Sequence, residues 1–135
     1  MAEDQEHQNK YMQLQLIQQQ AEQLSEYSQK LQIQLQEIEN SLEALQELQF
    51  TKIDTEILAP VANGIFLKAA LKDNQKLVVN VGAEVTAEKS IPEVITLLQE
   101  QKGKISDNIA EAESVFQQLQ EQGRKIYQHL EEGTQ

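Results

Sequence analysis

The sequence predicts a mostly α chain with a small β insert: a long antiparallel coiled-coil hairpin with two β-hairpins at its centre. Three observations carry this fold class. Apolar residues recur in steps of three and four over roughly forty residues on either side of the centre, the 3.5-residue repeat of a coiled-coil seam. Residues 50–91 break that repeat and carry short β-type runs. The two heptad segments match in length, so one can fold back along the other.

In the first segment Leu14, Ala21, Ser28, Leu35 and Leu42 fall at heptad position a, and Ile17, Leu24, Leu31, Ile38 and Leu45 at d. No Gly or Pro interrupts it, and a helix is expected over residues 10–49, roughly 60 Å long at 1.5 Å per residue. Most other positions are Gln and Glu, a solvated face. Met12 and Leu16 are exceptions, one turn apart at f and c and directed away from the seam, as is Ile33. Tyr11 and Tyr27 flank the seam at e and g.

The insert spans residues 50–91. Pro60 lacks a donor and suits an edge or strand end. Asn63-Gly64 separates two apolar runs and marks a hairpin between residues 56–61 and 65–71. Asp73-Asn74 is the next turn signal. Either Gly82 or Ala83-Glu84 then joins residues 77–81 to 85–89 in a second hairpin. Isolated hairpins are marginal in water, and their open edges need a partner. The insert is therefore expected to oligomerise by sheet or barrel formation, through Ile57, Leu58, Val61, Ile65, Phe66, Leu67, Leu77, Val79, Val81 and Val85.

Ser90-Ile91-Pro92-Glu93 reads as a helix entry, with Pro in the first turn and an acidic residue suited to the dipole. The second helix is expected over residues 92–131. Ile95, Lys102, Ile109, Phe116, Gly123 and Leu130 fall at a; Leu98, Ile105, Ala112, Leu119 and Ile126 at d. Antiparallel pairing sets a against d, so Leu45 meets Ile95, Leu42 meets Leu98, Leu31 meets Ile109, Leu24 meets Phe116 and Leu14 meets Ile126. Three layers are weak: Ile38 with Lys102, Ser28 with Ala112, and Ile17 with Gly123. A helical Gly costs up to ~1 kcal/mol relative to Ala, so the outer end of the arm is expected to be loosely packed and able to splay.

Composition narrows the function. A net charge of −11 argues against binding the phosphate backbone of nucleic acid and against anionic lipid. The chain has no Cys, hence no disulfide framework or thiolate zinc site. Its acidic N-terminus is unlike a signal peptide, and no apolar run approaches the ~20 residues that span a bilayer. A cytoplasmic protein is expected. His7 and His129 at one end of the arm lack a fixed third ligand for zinc. The carboxylates read as a solvated helix face, and Val81-Gly82-Ala83 is a hairpin turn, not a phosphate loop. No enzyme, metal or cofactor is expected.

The run Leu58-Ala59-Pro60-Val61-Ala62-Asn63-Gly64-Ile65-Phe66-Leu67-Lys68-Ala69, followed by Lys76-Leu77-Val78-Val79-Asn80-Val81-Gly82-Ala83, resembles the prefoldin family, in its two-hairpin alpha class. The resemblance covers essentially the full length, a single prefoldin-like domain over residues 1–135 with both termini at the tip. It implies a hetero-hexamer of two alpha and four beta subunits on a double β-barrel with six coiled-coil tentacles. It further implies that the tentacle tips capture unfolded polypeptides without ATP and deliver them to a group II chaperonin in the cytosol.

Catching an unfolded chain requires accessible apolar side chains, which mark interaction surfaces when clustered. At the tip the sequence offers Tyr11, Met12, Leu16 and Ile17 from one helix and Ile126, Tyr127 and Leu130 from the other. Leu14, Ile17 and Ile126 lie on the seam and serve first as coiled-coil core, whereas Met12, Leu16 and Tyr127 lie off it. The rival reading is a prefoldin-like scaffold whose arms assemble specific multiprotein complexes. Gln at many flanking positions argues against the fixed charge code such a scaffold would use.

Overall fold

A computed structural model describes residues 2–133; residues 1, 134 and 135, the ends of the expected domain, lie outside the described residues. The elements follow as α1 (Ala2–Gln49), β1 (Glu56–Ala62), β2 (Ile65–Ala70), β3 (Lys76–Gly82), β4 (Val85–Ser90) and α2 (Ile91–Gly133). The chain divides into two compact units. A helical unit comprises Met1–Leu35 with Lys104–Gln135, and a strand unit comprises Gln36–Gly103.

In the helical unit every residue assigned to a or d is buried or half-buried, while Met12, Leu16 and Ile33 are exposed. The antiparallel register is visible at Gly123, where a Cβ would lie 3.6 Å from Leu14 Cδ1 and 3.7 Å from Ile17 Cγ2. Leu31 and Ala112 are the best-enclosed residues of the middle layers.

Helix α1 begins at Ala2 rather than at residue 10. Residues 2–9 contain no Gly or Pro, and Glu3 and Asp4 complement the positive end of the helix dipole. They gave no periodic signal because His7 and Lys10, which occupy the next a and d positions, are polar. Both are nevertheless half-buried, their apolar ring and stem covering the seam. One consequence concerns Leu130. It is expected among the accessible tip residues, yet it is only 6% exposed; in the antiparallel register, α1 residues before Tyr11 extend the seam to its level. Leu130 is thus enclosed at this end of the seam.

The strand unit is tied together at its root by backbone. The last turn of α1 tightens as the Phe50 N–H donates to the Glu47 carbonyl and the Thr51 N–H to that of Leu48, both at 3.1 Å, satisfying end carbonyls. Asp54, with a left-handed φ of 71°, donates its N–H to the Leu71 carbonyl at 2.7 Å, and the Leu71 N–H returns to Thr55 at 3.0 Å. The Asn74 side-chain amide donates to the Thr51 carbonyl at 3.0 Å, and the Ile91 N–H donates to the Gln75 carbonyl at 2.9 Å. Within this strap Leu71 and Ile91 are buried, Ile91 completely.

The strands form two separate antiparallel pairs, β1–β2 and β3–β4, and no barrel closes within the described residues of one chain. The first hairpin turns at Asn63-Gly64, between paired Ala62 and Ile65; Gly64 takes a φ of 75°, and the register shift leaves Val61 bulged. The second turns at Ala83-Glu84, with Gly82 ending β3 opposite Val85. Both turn residues hold positive φ, 48° and 63°, which suits the right-handed twist of the strands but disfavours side chains. The Asn80 side chain steadies this turn by accepting the Gly82 N–H at 2.9 Å.

Ser90 caps α2, its hydroxyl oxygen accepting the Glu93 N–H at 3.3 Å. Lys102, charged at a seam position, sends its ammonium to Glu39 at 3.5 Å; both side chains are substantially exposed, so the pair adds little stability. Gly103 lies in α2 with no heavy atom within 4 Å of where a Cβ would stand. Gly103→Ala should therefore stabilise the chain by about 1 kcal/mol, through helix propensity and a less flexible unfolded state. A thermal melt of the full chain checks this, and a lowered Tm would contradict it.

Candidate functional site

Two surfaces present apolar side chains to solvent, one in each unit. In the helical unit four gather at the end bearing the start of α1 and the close of α2, while Tyr27, Ile33 and Val115 lie further along. Met12 is 67% and Leu16 55% exposed, and Tyr11 and Tyr127 are also exposed. Ile17 and Ile126 are half-buried on the seam, and Leu130 is enclosed. The predicted set thus separates into four accessible residues, two shared with the seam, and one that is core.

Two hollows flank the seam at this end. On one flank a furrow of about 670 Å³ is lined by Leu14, Ile17, Ala21, Phe116, Leu119, Gly123 and Tyr127, among others. The missing side chain at Gly123 and the small one at Ala21 open its floor. Leu16, Ile17 and Ile126 line a hollow of about 440 Å³ on the other flank. Beside the first, Arg124 holds Glu121 in a two-point ion pair, at 2.6 Å and 3.2 Å. That hydrogen bonding lowers the Glu121 carboxyl below the usual carboxylate range and raises Arg124 further.

In the strand unit Leu58, Val61, Ile65, Phe66, Leu67, Val81 and Val85 are exposed, whereas Ile57, Leu77 and Val79 are half-buried. Strand pairing sorts these residues by face. Leu58 and Phe66 lie on one face of the first hairpin, beside the Glu56–Lys68 ion pair, and Ile65 and Leu67 on the other, so both faces present apolar side chains. The second hairpin sets Leu77, Val79 and Ala87 on one face and Lys76, Asn80, Thr86 and Glu88 on the opposite one. At its base Asp73 accepts the N–H groups of Gln75 and Lys76, which lowers its carboxyl below the usual range.

Five exposed apolar residues carry no expectation from the sequence: Phe50 at 87%, Ile53, Val78 at 71%, Leu97 and Val115. Phe50 and Ile53 belong to the helix exit, where no period assigns a face. Val78 alternates onto the polar face of β3, and only that mismatch with its neighbours could have marked it. Among the described residues no cluster of three or more potential metal ligands occurs, and no helix is long and apolar enough to cross a membrane.

A paired helical seam with a two-hairpin insert defines a coiled-coil hairpin protein, and comparison with known proteins narrows this further. The family profile for prefoldin, described as prefoldin subunit, matches residues 17–135. The prefoldin subunit alpha of Archaeoglobus fulgidus is 29% identical over 130 residues, covering 96% of this chain and 95% of that protein. A prefoldin subunit alpha of Methanococcus maripaludis is 33% identical over 96 residues, 71% of this chain and 65% of the relative. A chain from the cryo-EM structure of filamentous PFD from Methanocaldococcus jannaschii superposes with a TM-score of 0.76 at 19% identity, over 86% of this chain and 96% of that one; it bears on the fold alone. The chain belongs to the prefoldin family, in its alpha class. It is accordingly a chaperone-type subunit rather than an enzyme.

Proposed function

We propose that the chain captures unfolded polypeptides at the apolar end of its helical unit and releases them to a group II chaperonin, without nucleotide and in the cytoplasm. Its setting would be a hetero-hexamer of two alpha and four beta subunits, joined through a β-barrel to which the two hairpins contribute. The observation that carries this reading is the accessible off-seam cluster. Met12 and Leu16 are both more than half exposed on a helix face that is otherwise Gln and Glu. Met is flexible and suits varied partners, and the polar surround keeps the cluster soluble. Several such ends acting on one client gain by effective concentration, so each contact can stay weak and reversible.

Met12→Ser with Leu16→Ser tests this. The pair should weaken suppression of client aggregation while leaving helicity and assembly intact, because neither side chain supports the seam. Suppression unchanged in the double variant, across several unrelated denatured clients without nucleotide, would remove the off-seam cluster from the mechanism.

A further inference from the structure

We propose that one flank of the helical unit seats a cationic amphipathic helix, so that basic, helix-forming segments are what this subunit recognises in an unfolded protein. The proposal rests on the capture reading above and goes beyond it, because Met12 and Leu16 do not line this flank and the furrow is a second contact surface.

The furrow of about 670 Å³ continues into a second hollow of about 430 Å³, the two sharing Ser25, Phe116 and Gln120 as lining. Together they run from Leu14 to Gln32 along α1, roughly 27 Å at the helical rise, which is the length of a five-turn helix. The floor is apolar, with Leu14, Phe116 and Leu119, and is deepened where Ala21 and Gly123 leave space. The opposite flank is different. There the hollow of about 440 Å³ beside Leu16 and Ile126 shares no lining residue with those of about 330 and 240 Å³ beside Tyr27 and Val115, so no continuous furrow forms.

A long furrow between two helices admits a third helix along its apolar face. An extended segment fits it poorly. Its backbone donors and acceptors would be covered by side chains with no strand edge to pair with, whereas a helix satisfies its own. Charge selects the sign of the occupant. Glu22 and Glu113 stand on the furrow's walls, and its cation, Arg124, is already paired to Glu121. With a net charge of −11 on the chain, Lys or Arg flanking an apolar stripe is attracted and Asp or Glu is repelled.

The test uses fluorescently labelled 18-residue peptides against the full chain, alone and assembled with its partner subunits. One peptide carries a Leu stripe with Lys flanks, a second the same stripe with Glu flanks, and a third the Lys peptide with two central Pro. The Lys peptide should bind about tenfold or more tightly than either of the others, a difference of ~1.4 kcal/mol. Ser25→Arg adds a cation inside the furrow and should cost about tenfold, whereas Val115→Arg adds the same charge on the other flank and should cost little. Equal binding of the Lys and Pro peptides, or equal losses in the two Arg variants, would overturn the furrow as a helix seat. Aggregation suppression measured on the same samples separates the two readings. If suppression persists while peptide selectivity is absent, only the helix seat fails; if wild-type chain suppresses nothing, the capture reading fails with it.

Discussion

Leu58→Asp combined with Phe66→Asp is expected to leave the chain folded but unable to join other prefoldin subunits. Both side chains are exposed in the single chain and lie on the same face of the first hairpin. Their removal should change the chain's own stability by only about 0.5 kcal/mol, the usual scale for surface positions. Assembly is another matter. A face that becomes covered would have to desolvate two added carboxylates, at several kcal/mol by order of magnitude. Only the one at position 58 faces a cation, Lys68. Association should weaken at least ~100-fold, taking ~1.4 kcal/mol per factor of ten. Sedimentation with partner subunits reads this directly, with circular dichroism confirming that the helices persist. Full assembly of the double variant at wild-type concentrations would show that this face is not part of the interface.

Ile91→Ala should produce the largest loss of stability in a single substitution. Ile91 is the one large side chain among the described residues with no exposed surface, and its N–H is bonded to Gln75 at the base of the second hairpin. Truncating a buried Ile to Ala typically costs about 2–5 kcal/mol, from lost transfer energy and the cavity left behind. With so small a root, sharing its burial mainly with Leu71, little surrounding structure can collapse to refill the space. Urea unfolding of the full chain measures the effect. A loss under about 1 kcal/mol would mean that the root relaxes freely, outside the range for enclosed aliphatic side chains.

The two predictions draw on unlike parts of the sequence. The hairpin surface was legible beforehand because alternation along a strand assigns faces, and Asn63-Gly64 marks where the chain reverses. The second turn was not. Gly82 looked as able to turn the chain as Ala83-Glu84, and only pairing of Gly82 with Val85 places the reversal on two residues that disfavour positive φ. The root was likewise invisible. Asp54, Leu71, Asn74 and Gln75 are joined by backbone and amide hydrogen bonds between residues with no common period.

At the candidate site the division follows the same line. Met12 and Leu16 could be recognised as exposed because a heptad frame states which positions cannot reach the seam. Leu130 could not be judged, since the turns of α1 beyond Tyr11, where His7 and Lys10 hold the seam positions, carry no apolar signature. Phe50 had no frame at all. The furrow, too, depends on side-chain volumes opposed across two helices, which pairing alone does not measure.

By itself, then, the sequence determined the seam, its antiparallel register and the existence of two hairpins. Each of these rests on a repeat short enough to be read along the chain. The tertiary structure decided which apolar residues are enclosed and which are left open. It enclosed Leu130 and Ile91 and left Phe50 bare. Burial depends on what stands opposite a residue in space, and that is settled only once the chain has folded.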